Sequence, residues 1–236
     1  TAAVNDREAV TLEQAVRILG HVADPTKVPD GSRWALAFLQ GLRQGEALGL
    51  TWAAVDLNAG TLTISWQVKS LRYLDRNEPE AGFAMPDGYE ARRLVGATHL
   101  VRPKSSAGWR VQPLVGWAVN ALDVWQRSAP DNDHGLVWPG RTMATGTWPR
   151  NPASDRADFE QIQTRVEVSH STGRPYHVHE IRHGTATLLL ALGVPEAVRI
   201  AIMGHSSIAS TRTYEHVDLA LARAALEQAG SALGLA

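Results

Sequence analysis

Apolar positions recur along this 236-residue chain with two different periods, and the changes of period divide it into elements. Leu12, Ala15, Val16 and Leu19 follow helical spacing behind Thr11 and Gln14, the pair expected of a capping box. Asp24, Pro25, Pro29, Asp30 and Gly31 then interrupt the chain, and Ser32 to Leu39 forms a second predicted helix. A short helix carrying Glu46 and Leu50 follows. The run "TLTISWQV", Thr61 to Val68, alternates β-branched and aromatic residues with polar ones and predicts one strand. Residues Thr98 to Arg102 and Trp109 to Leu114 predict the two arms of a hairpin turning over Ser105 to Gly108. Pro103 confines one arm to an edge or a bulge.

Helical spacing returns from Val115 to Gln126, with Trp117, Leu122 and Trp125 among its members. "HGLVWPG" predicts a brief strand, and Gly140 to Ser154 an exposed excursion rich in glycine, proline and threonine. Asp155 is expected to cap a helix reaching about Val168, and "STGRPY" is a loop. His179 to Leu192 is the most apolar predicted helix. Gly193 and Pro195 separate it from "EAVRIAIMG", and Asp218 to Leu226 forms a last amphipathic helix. The expected fold class is α+β, mainly helical, with a small antiparallel sheet and no internal repeat.

Composition changes this picture little. Hydrophobic residues make up 44% and charged residues 20%, the balance of a globular chain rather than a disordered one. The absence of cysteine excludes disulfides and thiolate-metal sites. No apolar run approaches the roughly 18 residues of a membrane span, and "TAAVNDREAV" lacks the apolar core of a signal peptide. A net charge of −1 gives no global basic signature, although charge can still be segregated on one face.

The segment "YHVHEIRHGTA" supports two incompatible chemistries. His179 to His183 spell H-E-x-x-H, which places two histidines one helical turn apart as zinc ligands, with Glu180 as general base. A third protein ligand is then required. Ala186 stands where one zinc-peptidase class continues with its next motif residue. Glu196 is 13 residues beyond His183, across a Pro/Gly break, where another class needs a glutamate some 20 residues on. The same letters supply His179 and Arg182 as H-x-x-R. The guanidinium fork suits phosphate oxygens, and the histidine one turn away can donate to an oxygen or move a proton. The bland alternative is a local pair, with Arg182 on a carboxylate and His179 on a backbone carbonyl.

Three further stretches favour an anion. "MGHSSIASTRTYEHV" puts Gly204 before His205 and Tyr214 nine residues beyond it, in a polar run. "GLRQGEALGLTWAAVD" places Arg43 at a helix start between two glycines. Lys104, one of only three lysines, falls at the turn of the expected hairpin. Each has its own ordinary explanation as a surface or capping residue; their joint occurrence is the stronger signal.

Together, "GLRQGEALGLTWAAVD", "RPKSSAGWRVQPL", "HVHEIRHGTATLLLALGV" and "IMGHSSIASTRTYEHV" resemble the catalytic domain of tyrosine recombinases, the phage integrase family. The resemblance runs from Gly41 to Val217 and implies a catalytic domain over residues 1–236. It makes Arg43 and Arg182 the two active-site arginines and Lys104 the lysine of the hairpin. His179 becomes the histidine of the H-x-x-R pair, His205 a phosphate donor and Tyr214 the nucleophile. His183 becomes a supporting residue, and Glu180 a residue behind the site or on the helix surface. The implied reaction is site-specific DNA recombination through a 3′-phosphotyrosine, without metal or cofactor. A type IB topoisomerase-like strand cleavage and an inactive DNA-binding relative are the alternatives. The implied partners are double-stranded DNA with specific sites and other recombinase protomers in a tetrameric synapse, in a cytoplasmic, DNA-associated setting with no membrane. Two departures from the family pattern stand out. An upstream core-binding domain is expected but does not precede this stretch, so a C-terminal part of a longer recombinase is anticipated. "MATGTWPRNPASDRAD" resembles a loop insertion.

Overall fold

The computed structural model describes residues 8–85, 88–103, 109–142, 146–204 and 218–235. Helix α1 (Leu12–Val22) starts on the expected capping box: Gln14 N donates to Thr11 Oγ1 (3.3 Å), and Thr11 N to Gln14 Oε1 (3.1 Å). Helix α2 (Ser32–Leu39) is buried at every position, so it carries no polar face. It is the central post of the molecule. Around it pack α1, α4 (Gly116–Ser128), α6 (Val178–Ala191) and α8 (Leu219–Ala232). Trp34, Leu36 and Leu39 on α2 join Leu122, Ile181, Leu189 and Leu226 in one core. Burying each such side chain contributes roughly 1.5–3 kcal/mol. The helices α3 (Gln44–Leu48), α5 (Pro152–Arg165) and α7 (Glu196–Met203) complete the helical body.

The expected single strand over Thr61 to Val68 is two strands, β2 (Thr61–Ile64) and β3 (Gln67–Ser70), in different sheets. One sheet has the order β1 (Val55–Asp56), β2, β6 (Arg110–Pro113); the other has β3, β5 (Thr98–Val101), β4 (Ala91–Val95). All pairings are antiparallel. The register explains the break. Ile64 lies opposite Arg110, whereas Gln67 lies opposite Val101, so the partner strand changes across Ser65 and Trp66. The same offset corrects the expected hairpin: its arms, β5 and β6, do not pair with each other but pair with β3 and β2.

Three other expectations change. "HGLVWPG" forms no strand before Gly140, where β7 begins; it makes a single bridge, Thr51 to Leu136, and buries Leu136, Val137 and Trp138. Apolar content here reflects packing, not a ladder. The expected loop over Gly140 to Ser154 holds the paired strands β7 (Gly140–Thr142) and β8 (Gly146–Trp148), then the start of α5. Asn151, not Asp155, caps α5, its side chain accepting from Ala153 N (2.8 Å). Asp155 is fully buried and takes two hydrogen bonds from Arg33, Nε at 3.2 Å and Nη2 at 2.9 Å. Arg150 reaches the same carboxylate (Nε, 3.3 Å) and also pairs with Asp30 and Asp158 (2.5 Å). Burial would lower the Arg150 pKa, but the charges of Asp30 and Asp155 outweigh it and raise it. The final helix, α8, expected over Asp218 to Leu226, is capped by Asp218 and runs past Leu226 to Ala232.

Candidate active site

Arg43 is the N-cap residue of α3, and Glu46 lies one turn on. The Glu46 carboxylate accepts from Arg43 N (3.0 Å) and from Arg43 Nη1 (2.6 Å), which fixes the arginine over the helix start. Gln44, the next residue, donates to Asp155 Oδ2 and to Pro152 O, both at 2.9 Å. The buried Arg33–Asp155 pair therefore braces the end of α3 from which Arg43 projects.

Arg182 sits on α6 and is 3% exposed. Its guanidinium donates to the carbonyls of Gly41 and Met203. Gly41 has φ +56°, a conformation that favours glycine, and it packs against the end of the Met203 side chain, where an added Cβ would stand 2.8 Å from Sδ. Met203 ends α7, and Gly204 caps it in the left-handed conformation (φ 58°, ψ 47°).

That helix end collects three arginines. Arg43 Nη2 donates to Gly204 O (2.9 Å), Arg182 to Met203 O, and Arg110 Nε to Ile202 O (3.1 Å). Carbonyls at a helix C-terminus lack intrahelical donors and carry partial negative charge, so cations are stabilised there. Arg110 also grips Glu46 in a fork, Nη2 to Oε2 at 3.0 Å and Nη1 to Oε1 at 3.2 Å. Burial alone would raise the Glu46 pKa, but Arg110 and then Arg43 hold it down to about 2. Arg182 is pulled down to about 9, first by burial, then by the charges of Arg43 and Arg110, with Glu46 acting the other way. Three guanidiniums around one carboxylate leave an excess of positive charge in a water-poor place. An incoming anion relieves it.

Sequence reasoning singled out Arg43 and Arg182 and passed over Arg110 and the part played by Glu46. The signals were present. Arg110 and Gln112 alternate with Val111 along β6, which puts the two donors on one face. Glu46 follows Arg43 at the spacing of a capping box.

His179 is exposed in the first turn of α6, and its ring meets that of His183 edge-on, with centroids 4.9 Å apart. His183 Nε2 is buried and has no hydrogen-bond partner among the described residues. Glu180, expected behind the site or on the helix surface, is 1% exposed and thus not a surface residue. It accepts from Arg174 (2.8 and 2.9 Å), from His177 N (2.7 Å) and from Glu8 N (3.2 Å). So committed, it is no base for a water between the two histidines. Among the described residues, no three His, Asp or Glu side chains gather as a metal site. Lys104, His205 and Tyr214 lie outside the described residues.

Residues 93–220 match the model of the phage integrase family. The chain belongs to that family. Among curated proteins it is 26% identical to an integrase of Saccharopolyspora erythraea, over 89% of this chain and 58% of that protein. It is also 26% identical to the tyrosine recombinase XerC of Xylella fastidiosa, over 92% of this chain and 63% of that one. The chain thus spans about six tenths of the length of these relatives. Among solved structures, the integrase of the Tn1549 transposon, in complex with transposon right end DNA, superposes with a TM-score of 0.63 at 20% identity. That match covers 96% of this chain and 67% of the other. XerA recombinase superposes at 0.60 and 15% identity, over 98% of this chain and 65% of its own. The fold is accordingly the tyrosine-recombinase catalytic fold, α+β and mainly helical, with small antiparallel sheets.

Proposed function

We propose that residues 1–236 act as the catalytic domain of a site-specific DNA recombinase or integrase that cuts and rejoins DNA through a 3′-phosphotyrosine. The observation that carries this reading is the arginine cluster: Arg43 and Arg182, from opposite ends of the chain, meet on adjacent carbonyls of α7 beside an excess of positive charge. Tyr214 attacks the phosphodiester, and a 5′-hydroxyl of a partner strand later displaces it, so the bond is conserved for rejoining. Arg43 and Arg182 stabilise charge on the non-bridging oxygens, with His205 donating beside them. Lys104 protonates the leaving 5′-oxygen, and His179, exposed at the positive end of α6, assists proton transfer near Tyr214. His183 supports His179 through its ring edge.

Double-stranded DNA bearing specific sites is the proposed partner, with further protomers assembled as a tetrameric synapse in the cytoplasm. The Tn1549 integrase structure holds transposon DNA, which supports the first of these. No helix among the described residues is long and apolar enough to cross a membrane. The test is covalent capture: nicked duplex DNA incubated with the chain should yield an adduct that survives SDS and is lost in Y214F.

A further inference from the structure

The reaction above uses two of the three guanidiniums gathered at the end of α7. Arg110, on β6, is the third, and each of its contacts points inward: Nε to Ile202 O, Nη1 and Nη2 to the two oxygens of Glu46. Its side chain is 8% exposed and that of Glu46 4%, against 37% for Arg43. Arg43 is therefore the more open to an arriving anion, and Arg110 is shut away with the carboxylate. Contacts with Glu46 Oε1 (2.6 Å) and Gly204 O (2.9 Å) occupy two of the five N–H groups of Arg43. Nor does Arg110 serve only to satisfy a helix end, because Ile202 O accepts from Gln112 as well.

The two arginines share one carboxylate unequally. Arg110 meets it as a bidentate fork, whereas the Arg43 guanidinium reaches it through Nη1 alone. Were Arg43 the sole partner of Glu46, a buried carboxylate would oppose its charge at close range with little water to screen the pair. We propose that Arg110 is a positioning residue for strand cleavage, the counter-ion that engages Glu46 and so leaves the charge of Arg43 for the phosphate. The proposal rests on the reading of Arg43 and Arg182 as phosphate-binding groups. Three guanidiniums against one carboxylate give an excess of two positive charges, and without Arg110 one is left. The second charge counts in the transition state. As the Tyr214 oxygen bonds to phosphorus and the bond to O5′ breaks, the tyrosine proton passes to a base and O5′ takes one from Lys104. Negative charge meanwhile rises on the non-bridging oxygens, where the spared guanidinium acts. Arg182 feels the same field: after burial, the charges of Arg43 and Arg110 lower its pKa.

Three variants lack the fork but differ in net charge. R110K and E46Q/R110Q keep the excess of the wild type, and R110Q reduces it by one. The probe is a nicked duplex selected by covalent capture from a randomised library with the wild-type chain. Single-turnover cleavage is read at saturating DNA, at a temperature where circular dichroism shows each variant folded. R110Q should cleave slower by about tenfold or more, with Kd within about threefold of wild type. R110K has a point charge without the fork, and E46Q/R110Q has neither charge; both should cleave within about threefold of wild type. If either charge-matched variant is as slow as R110Q, fork geometry rather than charge is what matters, and the proposal falls. A wild-type rate for R110Q overturns it too. R110Q strands a buried carboxylate and is the variant most at risk of unfolding. Should it unfold, the other two decide: cleavage within about threefold of wild type supports the role, and slower cleavage or unfolding of either overturns it. Each of these results leaves the recombinase reading intact. Failure of the wild-type chain to form any adduct overturns that reading itself.

Discussion

Arg43 and Arg182 end on adjacent backbone carbonyls, those of Gly204 and Met203, although one starts a short helix near the beginning of the chain and the other lies within α6. The last turn of α7 is thus the fixed point against which both guanidiniums are set. Removing either should affect chemistry more than affinity. R182A should slow single-turnover cleavage at saturating DNA on the order of a hundredfold, the cost of one well-placed transition-state donor. DNA binding should weaken less, with a loss that grows with salt. Normal cleavage by R182A at saturation would reduce Arg182 to a binding contact.

Glu46 makes the cluster sensitive to acid. It is ionised in the folded protein down to about pH 2, against 4.5 for an ordinary glutamate, because Arg110 and Arg43 outweigh its burial. A depressed folded-state pKa gives stability that is complete above about pH 5 and lost as pH falls from 4.5 toward 2. E46Q leaves Arg110 facing a neutral partner and should cost about 3 kcal/mol at pH 7. Denaturant melts across pH 3 to 7 should show a flatter acid limb for E46Q than for wild type. Parallel limbs would mean that Glu46 is not the group responsible.

The Arg33–Asp155 pair is fully buried on both sides and also holds Gln44, the residue after Arg43. D155N strands part of two arginine partners without charge compensation. A cost of about 3–5 kcal/mol follows, enough to lower the melting temperature by roughly 6–20 °C in a chain of this size. A shift below two degrees would show that the Asn amide replaces the carboxylate fully.

Metal should be dispensable. Glu180, the would-be base of an H-E-x-x-H site, is locked to Arg174 and to the backbone of His177 and Glu8. Cleavage in excess chelator should match the untreated rate, and elemental analysis should find no stoichiometric zinc. Bound zinc whose removal abolishes activity would revive the peptidase chemistry.

The helices were legible in the chain because their signals are local. Thr11 and Gln14 cap α1 as expected, Ser32 and Leu39 bound α2, and Asp218 starts α8. The sheets were less so. "TLTISWQV" alternates without interruption, and only its pairing with β6 on one side and β5 on the other divides it at Ser65 and Trp66. Register between distant strands is a long-range property that no window of sequence contains. Apolar Leu136 to Trp138 looked like a strand and proved to be packed coil, since burial leaves the same composition in either case. Gly140 to Ser154 looked like a loop from its glycine, proline and threonine, and Asp155 like a cap; the pairing of β7 with β8 and the burial of Asp155 against Arg33, distant in sequence, are what the local composition does not contain. Arg43 and Arg182 were readable from the glycines and histidines around them. For Arg110 the sequence offers only strand alternation, which gives its face; its partners, Glu46 and the carbonyl of Ile202, are both distant along the chain.

Covalent attachment of Tyr214 to DNA is the centre of the proposed mechanism. Wild type and Y214F should be incubated with a nicked duplex whose cleaved strand loses a short 5′-hydroxyl fragment by diffusion, then resolved in SDS. The account predicts a protein–DNA adduct for wild type, mapped by peptide mass to Tyr214, and none for a Y214F protein of unchanged melting temperature. An adduct of comparable yield from Y214F would contradict it.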